Sequence, residues 1–320
     1  MSAEPQVAVV VPSWNSAGLL PRLLDSLAEQ GGERELLVVD NGSRDGTLEL
    51  LRERGIPHLS LSRNTGFAAA VNLGAARTAA PLVLALNADT VLEPGCVGAL
   101  QSALMADPGL AGVQPRILQL EGEGTSVATA RIYSAGQALT ADGRALEVGA
   151  GKAQSERLLR PREIFGVCGA ACLLRRELFD QLGGYDESYF AFYEDVDLNV
   201  RARIAGWRFA YVPDAVVWHI GNASWTAGFS RPGADNARLV ARNRLATQVK
   251  FMPLRVVPRI LAVEAGALGR AARQRRFRAT LAGKLASLGW LPRLLRERRR
   301  LRREGDLASA RSWLGMRTDA

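Results

Sequence analysis

Five acids crowd one short stretch of this chain: Asp186, Glu187, Glu194, Asp195 and Asp197. They are interleaved with Tyr185, Tyr189, Phe190, Phe192 and Tyr193. Acids at a helix N-terminus are favoured by capping and by the macrodipole, so one or two of them need no function. Five among aromatic side chains invite one. Aromatic walls raise a carboxyl pKa and form a platform for a sugar ring, which is the setting a general base requires. Three further positions could do chemistry. Asp40, followed by Asn41-Gly42-Ser43, could accept the N3 proton of a uracil or thymine ring, or could simply cap its turn. Asp89, in Asn87-Ala88-Asp89, could hold Mg²⁺ or Mn²⁺ against a diphosphate, or be an ordinary turn residue. His219, one of two histidines, could be a neutral imidazole ligand to the same ion, although a lone His at a strand end is more often structural. His58 is assigned no role.

The elements that must carry these groups are legible in the hydrophobic pattern. Val7 to Val11, Leu36 to Val39 and Leu82 to Leu86 are unbroken apolar runs of strand length, each ending at a polar residue. Leu19, Leu20, Leu23, Leu24 and Leu27 recur at helical spacing before Gly31-Gly32, and Thr47 to Arg54 reads as a short helix closed by Gly55. Strands alternating with helices over the first hundred residues predict an α/β fold with a doubly wound, mainly parallel sheet. Its ligand site belongs at the carboxyl ends of the strands, which puts Pro12 to Asn15, Asp40 to Ser43 and Asn87 to Thr90 on one rim. Glu121 to Gly151, rich in small residues and without clear periodicity, reads as a loop or mobile flap. An apolar stretch from Ile164 to Leu174, a short helix to Leu182 and a helix from about Asp195 to Ala205 follow.

With 320 residues, 48% of them hydrophobic, the chain can fill a sizeable core. No window is apolar enough for a spanning helix, the first residues lack a signal-peptide pattern, and Cys96, Cys168 and Cys172 form no Cys-x-x-Cys pair. These features predict a cytoplasmic protein whose cysteines are buried small hydrophobes. The net charge of +9 is unevenly placed: Arg255 to Arg303 holds fourteen Arg and one Lys against Glu264 and Glu297. Phe277, Leu281, Leu285 and Leu288 fall on one helical face there, and Leu291, Leu294, Leu295 and Leu301 do likewise among arginines. Basic amphipathic helices of this kind bind anionic lipid, at roughly 1 kcal/mol per basic residue near the surface. The alternative is that they pack on the rest of the chain or pair two subunits as a homodimer.

Taken together the motifs resemble glycosyltransferase family 2, in its rhamnosyltransferase-like and galactofuranosyltransferase-like branch. The matching text is Val9 to Asn15, Val38 to Thr47, Asn64 to Phe67 with Asn72 and Gly74, Leu86 to Thr90, Gly169 to Ala171, Gly183 to Glu187, Phe190 to Arg201, Gly206-Trp207 and His219. The resemblance implies a GT-A fold over residues 1–250, with a nucleotide-sugar half at about 1–115 and an acceptor half at about 160–250, followed by a membrane-associating helical tail over 251–320. It implies donor contacts from Pro12, Asn15, Asp40, Asn41, Asn64, Gly66, Phe67, Asn72, Asn87 and Asp89. Asp89 and His219 would hold a divalent Mg²⁺ or Mn²⁺, with Asn87 standing where the family's D-x-D motif has its first acid. Asp195 would be the general base beside Glu194, with Tyr193 and Trp225 on the acceptor. The implied reaction is inverting transfer of a sugar, rhamnose first, from a thymidine or uridine diphosphate to a glycan or lipid-linked hydroxyl in cell-envelope polysaccharide synthesis, at the inner face of the membrane. A nonenzymatic nucleic-acid binder using the arginine tail is the rival from another class. Between Arg255 and Arg303 it has only Phe277 and Trp290 as stacking aromatics, so a nucleic-acid partner is not expected. A silent nucleotide-sugar-binding module is the second rival.

Overall fold

The computed structural model describes residues 6–120, 127, 130–220 and 232–304. The first part runs β1 (Val7–Ser13), α1 (Leu20–Ala28), β2 (Arg34–Asp40), α2 (Thr47–Glu53), β3 (His58–Ser60), α3 (Phe67–Ala76), β4 (Leu82–Leu86), β5 (Thr90–Leu92), α4 (Cys96–Ala106) and β6 (Leu110–Gln119). Then come β7 (Ile132–Ser134), β8 (Gln137–Leu139), β9 (Ala145–Glu147), β10 (Arg162–Ile164), β11 (Ala171–Arg175), α5 (Arg176–Leu182), α6 (Glu194–Ile204) and β12 (Arg208–His219). Four helices close the described chain: α7 (Pro232–Phe251), α8 (Val257–Arg273), α9 (Phe277–Leu288) and α10 (Leu291–Glu304).

The main sheet has the order β10-β12-β6-β11-β4-β1-β2-β3, with β5 on β12 and β7 on β6. Its β4-β1-β2-β3 half is parallel, as the alternating strand and helix pattern predicts. β1 is central and buried almost throughout, which is why its sequence is continuously apolar rather than alternating. Beyond β4 the sheet departs from the doubly wound pattern, because β11 enters antiparallel between β4 and β6. The sheet separates two buried apolar clusters, one including Leu20, Leu23 and Leu100, the other Val71, Leu178 and Phe209. All three cysteines are free and buried.

Of the segment from Glu121 to Gly151, read from sequence as a loop or flap, the part from 130 onward is ordered structure. β7 joins the main sheet, and β8 pairs antiparallel with β9 as a two-stranded hairpin. The reading fails because three-residue strands are too short to show a period, and because small residues such as Ser134, Ala135 and Ala138 are buried by distant parts of the chain.

The basic tail is helical, as expected, but its faces are used in an unexpected way. α9 packs on α7 through Thr280, Gly283, Lys284 and Ser287, all buried. A Cβ at Gly283 would lie 2.2 Å from the Arg238 carbonyl oxygen, so the two helices approach as closely as only glycine permits. The large apolar side chains of α9 point the other way: Phe277, Leu285 and Leu288 are exposed. No helix among the described residues is long and apolar enough to cross a membrane.

Candidate active site

β1 ends at Ser13 and β2 at Asp40, which are register partners, and the Asn41 N–H donates to the Ser13 carbonyl at 2.7 Å. One rim therefore gathers the loops after β1, β2 and β4. A small cavity of about 60 Å³ opens there, lined by Pro12, Asn41, Asn64, Gly66, Phe67 and Asn87, together with Trp14 and Phe190. Asp40 is fully buried beside it. Its Oδ2 accepts the Gly42 and Ser43 N–H groups at 3.2 Å, which is the turn-capping role, while its Oδ1 has no partner. Both readings of Asp40 thus survive, since the capping oxygen leaves a second acceptor free. Four expected donor residues do not line this cavity: Asp40 itself, Asp89, Asn15 and Asn72. Asn15 braces the loop, accepting the Arg44 N–H at 2.9 Å. Asn72 bonds the backbone N–H and carbonyl of Tyr185 and the Glu187 carboxylate.

Phe67 and Asn87 also line the adjoining cavity of about 240 Å³, which holds Asp89 and His219 together with Glu194, Asp195 and Tyr193. β12 pairs with β5 so that His219 faces Thr90, which brings the imidazole to the neighbouring Asp89 across 130 residues of sequence. His219 Nε2 lies 3.1 Å from Asp89 Oδ1 and 3.4 Å from Asn87 Nδ2, and Tyr133 stands edge-on to the ring at 4.4 Å between centroids. Among the described residues, Asp89 Oδ1 and His219 Nδ1 are buried without a hydrogen-bond partner. Neighbouring ligands on an octahedral ion at about 2.1 Å sit roughly 3 Å apart, so Asp89 Oδ1 and His219 Nε2 are spaced as two such ligands. Their chemistry is one carboxyl oxygen, which suits Mg²⁺ or Mn²⁺, and one imidazole nitrogen, which favours a transition ion such as Mn²⁺ over Mg²⁺.

The five acids separate into two groups. Asp197 is fully buried and ion-paired with Arg201 at 2.6 Å and Lys250 at 2.7 Å. Burial alone would raise its pKa, but the two cations outweigh burial and hold it below the usual carboxylate range. Asp186 caps the turn at Ser188 and faces Arg293, and Glu187 accepts from Asn72. Only Glu194 and Asp195 face the cavity. Burial first, then the Asp195 charge, pushes Glu194 far up, and its Oε2 has no partner. Burial also raises Asp195, but the N–H groups of Gly169 at 2.9 Å and Val196 at 2.7 Å and the Gln137 amide at 2.8 Å oppose it by stabilising the carboxylate. Both carboxyls are thus raised, and the hydrogen-bond donors that favour the charged form gather on Asp195.

The loop that aims this pair is strained. Phe190, Phe192 and Tyr193 have φ of +66°, +66° and +70°, a region that non-glycine residues rarely adopt. Phe190 centres a γ-turn, with the Ala191 N–H donating to the Tyr189 carbonyl at 2.8 Å. Such residues cost on the order of 1–3 kcal/mol each and persist only where their surroundings hold them. Buried Asn243 of α7 does so, aiming its amide at the carbonyls of Tyr189, Ala191 and Phe192 within 2.9 Å. Gly66 is the second brace. A Cβ there would lie 2.4 Å from the Phe190 carbonyl oxygen, so the loop before α3 and the loop before α6 touch backbone to backbone.

Tyr193 lines the cavity, while Trp225 lies outside the described residues. Sequence reasoning missed Asn243, Tyr133, Gln137 and Glu147. The last three sit in the segment taken for a flap, and Asn243 looks like any polar residue on a helix; no local signal marks them.

Residues 5–234 match the family described as "Glycosyltransferase like family 2". An N-acetylglucosaminyl-diphospho-decaprenol L-rhamnosyltransferase of Mycobacterium tuberculosis is 32% identical over 242 residues, covering 66% of this chain and 75% of that protein. The O-antigen chain rhamnosyltransferase RfbN of Salmonella typhimurium is 25% identical over 232 residues, covering 71% of this chain and 70% of that one. The fold is that of GalNAc-T7 solved with UDP, GalNAc and Mn²⁺, at a TM-score of 0.60 and 16% identity over 77% of this chain and 48% of that one. It is also that of the mannosyltransferase PcManGT of Pyrobaculum calidifontis, at a TM-score of 0.53 and 19% identity over 97% of this chain and 87% of that one. With the family matched over residues 5–234, the chain belongs to glycosyltransferase family 2, in its rhamnosyltransferase-like branch, and is a glycosyltransferase.

Proposed function

We propose that the enzyme transfers rhamnose, with inversion at the anomeric carbon, from thymidine diphosphate rhamnose to a hydroxyl of a lipid-linked cell-envelope acceptor. The observation that carries this reading is a single cavity lined by Asp89, His219, Glu194 and Asp195, adjoining a smaller one lined by Asn41, the residue after Asp40. In this reading Asp40 Oδ1 accepts the nucleobase N3–H, and Asn87 and Phe67 flank the diphosphate. Asp89 and His219 hold Mg²⁺ or Mn²⁺, which when bound neutralises the departing diphosphate. No Lys or Arg is among the described residues lining either cavity, so a diphosphate facing four carboxyls needs that positive charge. Asp195 takes the acceptor hydroxyl proton as its oxygen bonds the anomeric carbon and the bond to the diphosphate oxygen breaks. The printed names of two relatives specify rhamnose, and one names a diphospho-decaprenol acceptor, which supports the sugar and the lipid linkage. The test is a thermal-shift and turnover panel of thymidine, uridine, guanosine and cytidine diphosphate sugars with Mn²⁺ or Mg²⁺. Thymidine diphosphate rhamnose is expected to stabilise the protein only with metal present and to release thymidine diphosphate; stabilisation by none of the donors sinks the reading.

The tail supports work at an anionic membrane surface. Eight large hydrophobic side chains between Leu254 and Leu295 are exposed, and Leu254, Leu261, Leu285 and Leu288 are each more than half so. The arginines of α8 and its flanks are exposed as well, whereas Glu264 is buried against Arg244 and Lys284, and Glu297 pairs with Lys250. Exposed apolar rows among exposed arginines, of which Arg259 pairs with Asp142 at 3.6 Å, fit an anionic leaflet. Pelleting with phosphatidylglycerol vesicles but not with phosphatidylcholine vesicles is expected, and is expected to disappear in Leu261→Glu/Leu285→Glu/Leu288→Glu at unchanged melting temperature. A soluble dimer that the same triple variant dissociates, with no vesicle binding in either protein, would assign the face to a second copy instead.

A further inference from the structure

The β8–β9 hairpin carries two cavity-lining side chains that the reading above leaves unused, Gln137 and Glu147. The Gln137 amide nitrogen donates to Asp195 Oδ2 at 2.8 Å and to Glu147 Oε1 at 3.0 Å, one hydrogen to each carboxyl. Its orientation is dictated from the backbone. The Val167 N–H donates to Asn199 Oδ1 at 3.2 Å, which turns the Asn199 amide nitrogen toward the Val167 carbonyl at 2.8 Å and Gln137 Oε1 at 2.8 Å. With its oxygen engaged there, Gln137 can present only N–H to the two acids. Asn199 and Gln137 are both buried, so water does not substitute for either.

We propose that Gln137 is a positioning residue for the base, an amide clamp that holds the Asp195 carboxylate in line with the acceptor hydroxyl, and that Glu147 is a second carboxyl coupled to Asp195 through that clamp. The inference rests on Asp195 being the base. Glu147 is otherwise held by Ser134 Oγ at 2.5 Å, and it faces the Cys168 thiol, the Tyr133 hydroxyl and Asp195. Burial and then the Asp195 charge push Glu147 up to about 7, so it changes charge near neutrality while it shares a donor with the base. The chemical consequence is a base whose acidity responds to the hairpin, from a segment that carries none of the family motifs quoted above.

The experiment uses the full chain in three forms: wild type, Gln137→Met and Glu147→Gln. Two quantities are read, the pH dependence of kcat and the titration of the Asp195 carboxyl by carbon-13 NMR. Methionine keeps the length of glutamine and removes the donor. Losing a hydrogen bond to a charged group is expected to move the Asp195 titration and the acidic limb of kcat up by about one pH unit, with donor KM changed less than about threefold. After burial, the Asp195 charge is what raises Glu147, so Asp195 ionises first beside a neutral Glu147. Glu147→Gln, which mimics that acid, is expected to leave the acidic limb in place and to remove a second step near pH 7 from the Asp195 carbon-13 shift. A lower kcat with limb and titration unmoved would reduce Gln137 to ordinary packing and overturn the proposal. Should Gln137→Met not fold, Glu147→Gln decides by itself: absence of a step near pH 7 in the wild-type Asp195 signal, or its survival in Glu147→Gln, counts against the coupling. If the wild type turns over no donor, the glycosyltransfer chemistry assigned to this site fails, and the NMR titration still decides the clamp.

Discussion

Asp195→Asn is expected to lower nucleoside diphosphate release in the presence of acceptor by about 10² to 10⁴, the range of general base catalysis, while leaving donor binding intact. Asparagine keeps the shape and can still accept the Gly169 N–H that Asp195 Oδ2 accepts at 2.9 Å, so the loop is not expected to collapse. It cannot take a proton. Glu194→Gln is the control, because burial and the Asp195 charge favour the neutral form of that carboxyl and a neutral amide mimics it. A smaller loss at Glu194 than at Asp195 fits the assignment. The reverse order, or a parallel loss of donor binding by thermal shift in Asp195→Asn, would move the base to Glu194 or make Asp195 a donor contact.

Lys250→Met is expected to destabilise the protein by about 3–5 kcal/mol, the usual cost of leaving a buried charge without its partner. Lys250 is buried between Asp197 of α6, Asp186 ahead of it and Glu297 of α10, so one ammonium ties the catalytic helix to the tail. Its removal leaves Asp197, fully buried, with Arg201 alone. A carboxyl held below its unfolded value stabilises the fold above the unfolded pKa, and that contribution is lost as pH falls through the depressed folded value. The gap between variant and wild type is therefore expected to be largest near neutrality and to close in acid. Thermal melts at several pH values check this: a drop of roughly 10 °C at neutral pH is expected, and a difference of under 2 °C at every pH would show that the network does not hold the tail.

The sequence by itself determined the parallel half of the sheet and the rim that bears Pro12, Asp40 and Asn87, because buried parallel strands are continuously apolar and each ends at a polar turn. It also determined that the tail is helical and basic. Local pattern suffices for such features, since each is written within a few residues of itself. Only the tertiary structure divided the five acids. Asp197 and Glu194 share the first turn of one helix and are told apart by what lies opposite, Lys250 in one case and an open cavity in the other. It likewise decided that His219 meets Asp89, that Asn243 clamps the loop from Tyr189 to Phe192, and that the small residues of α9 face inward while its leucines face out. Each of these outcomes depends on a partner 40 or more residues away. A carboxyl's charge and a helix's inner face are set by the dielectric and the contacts that partner supplies, which no local pattern of residue types encodes.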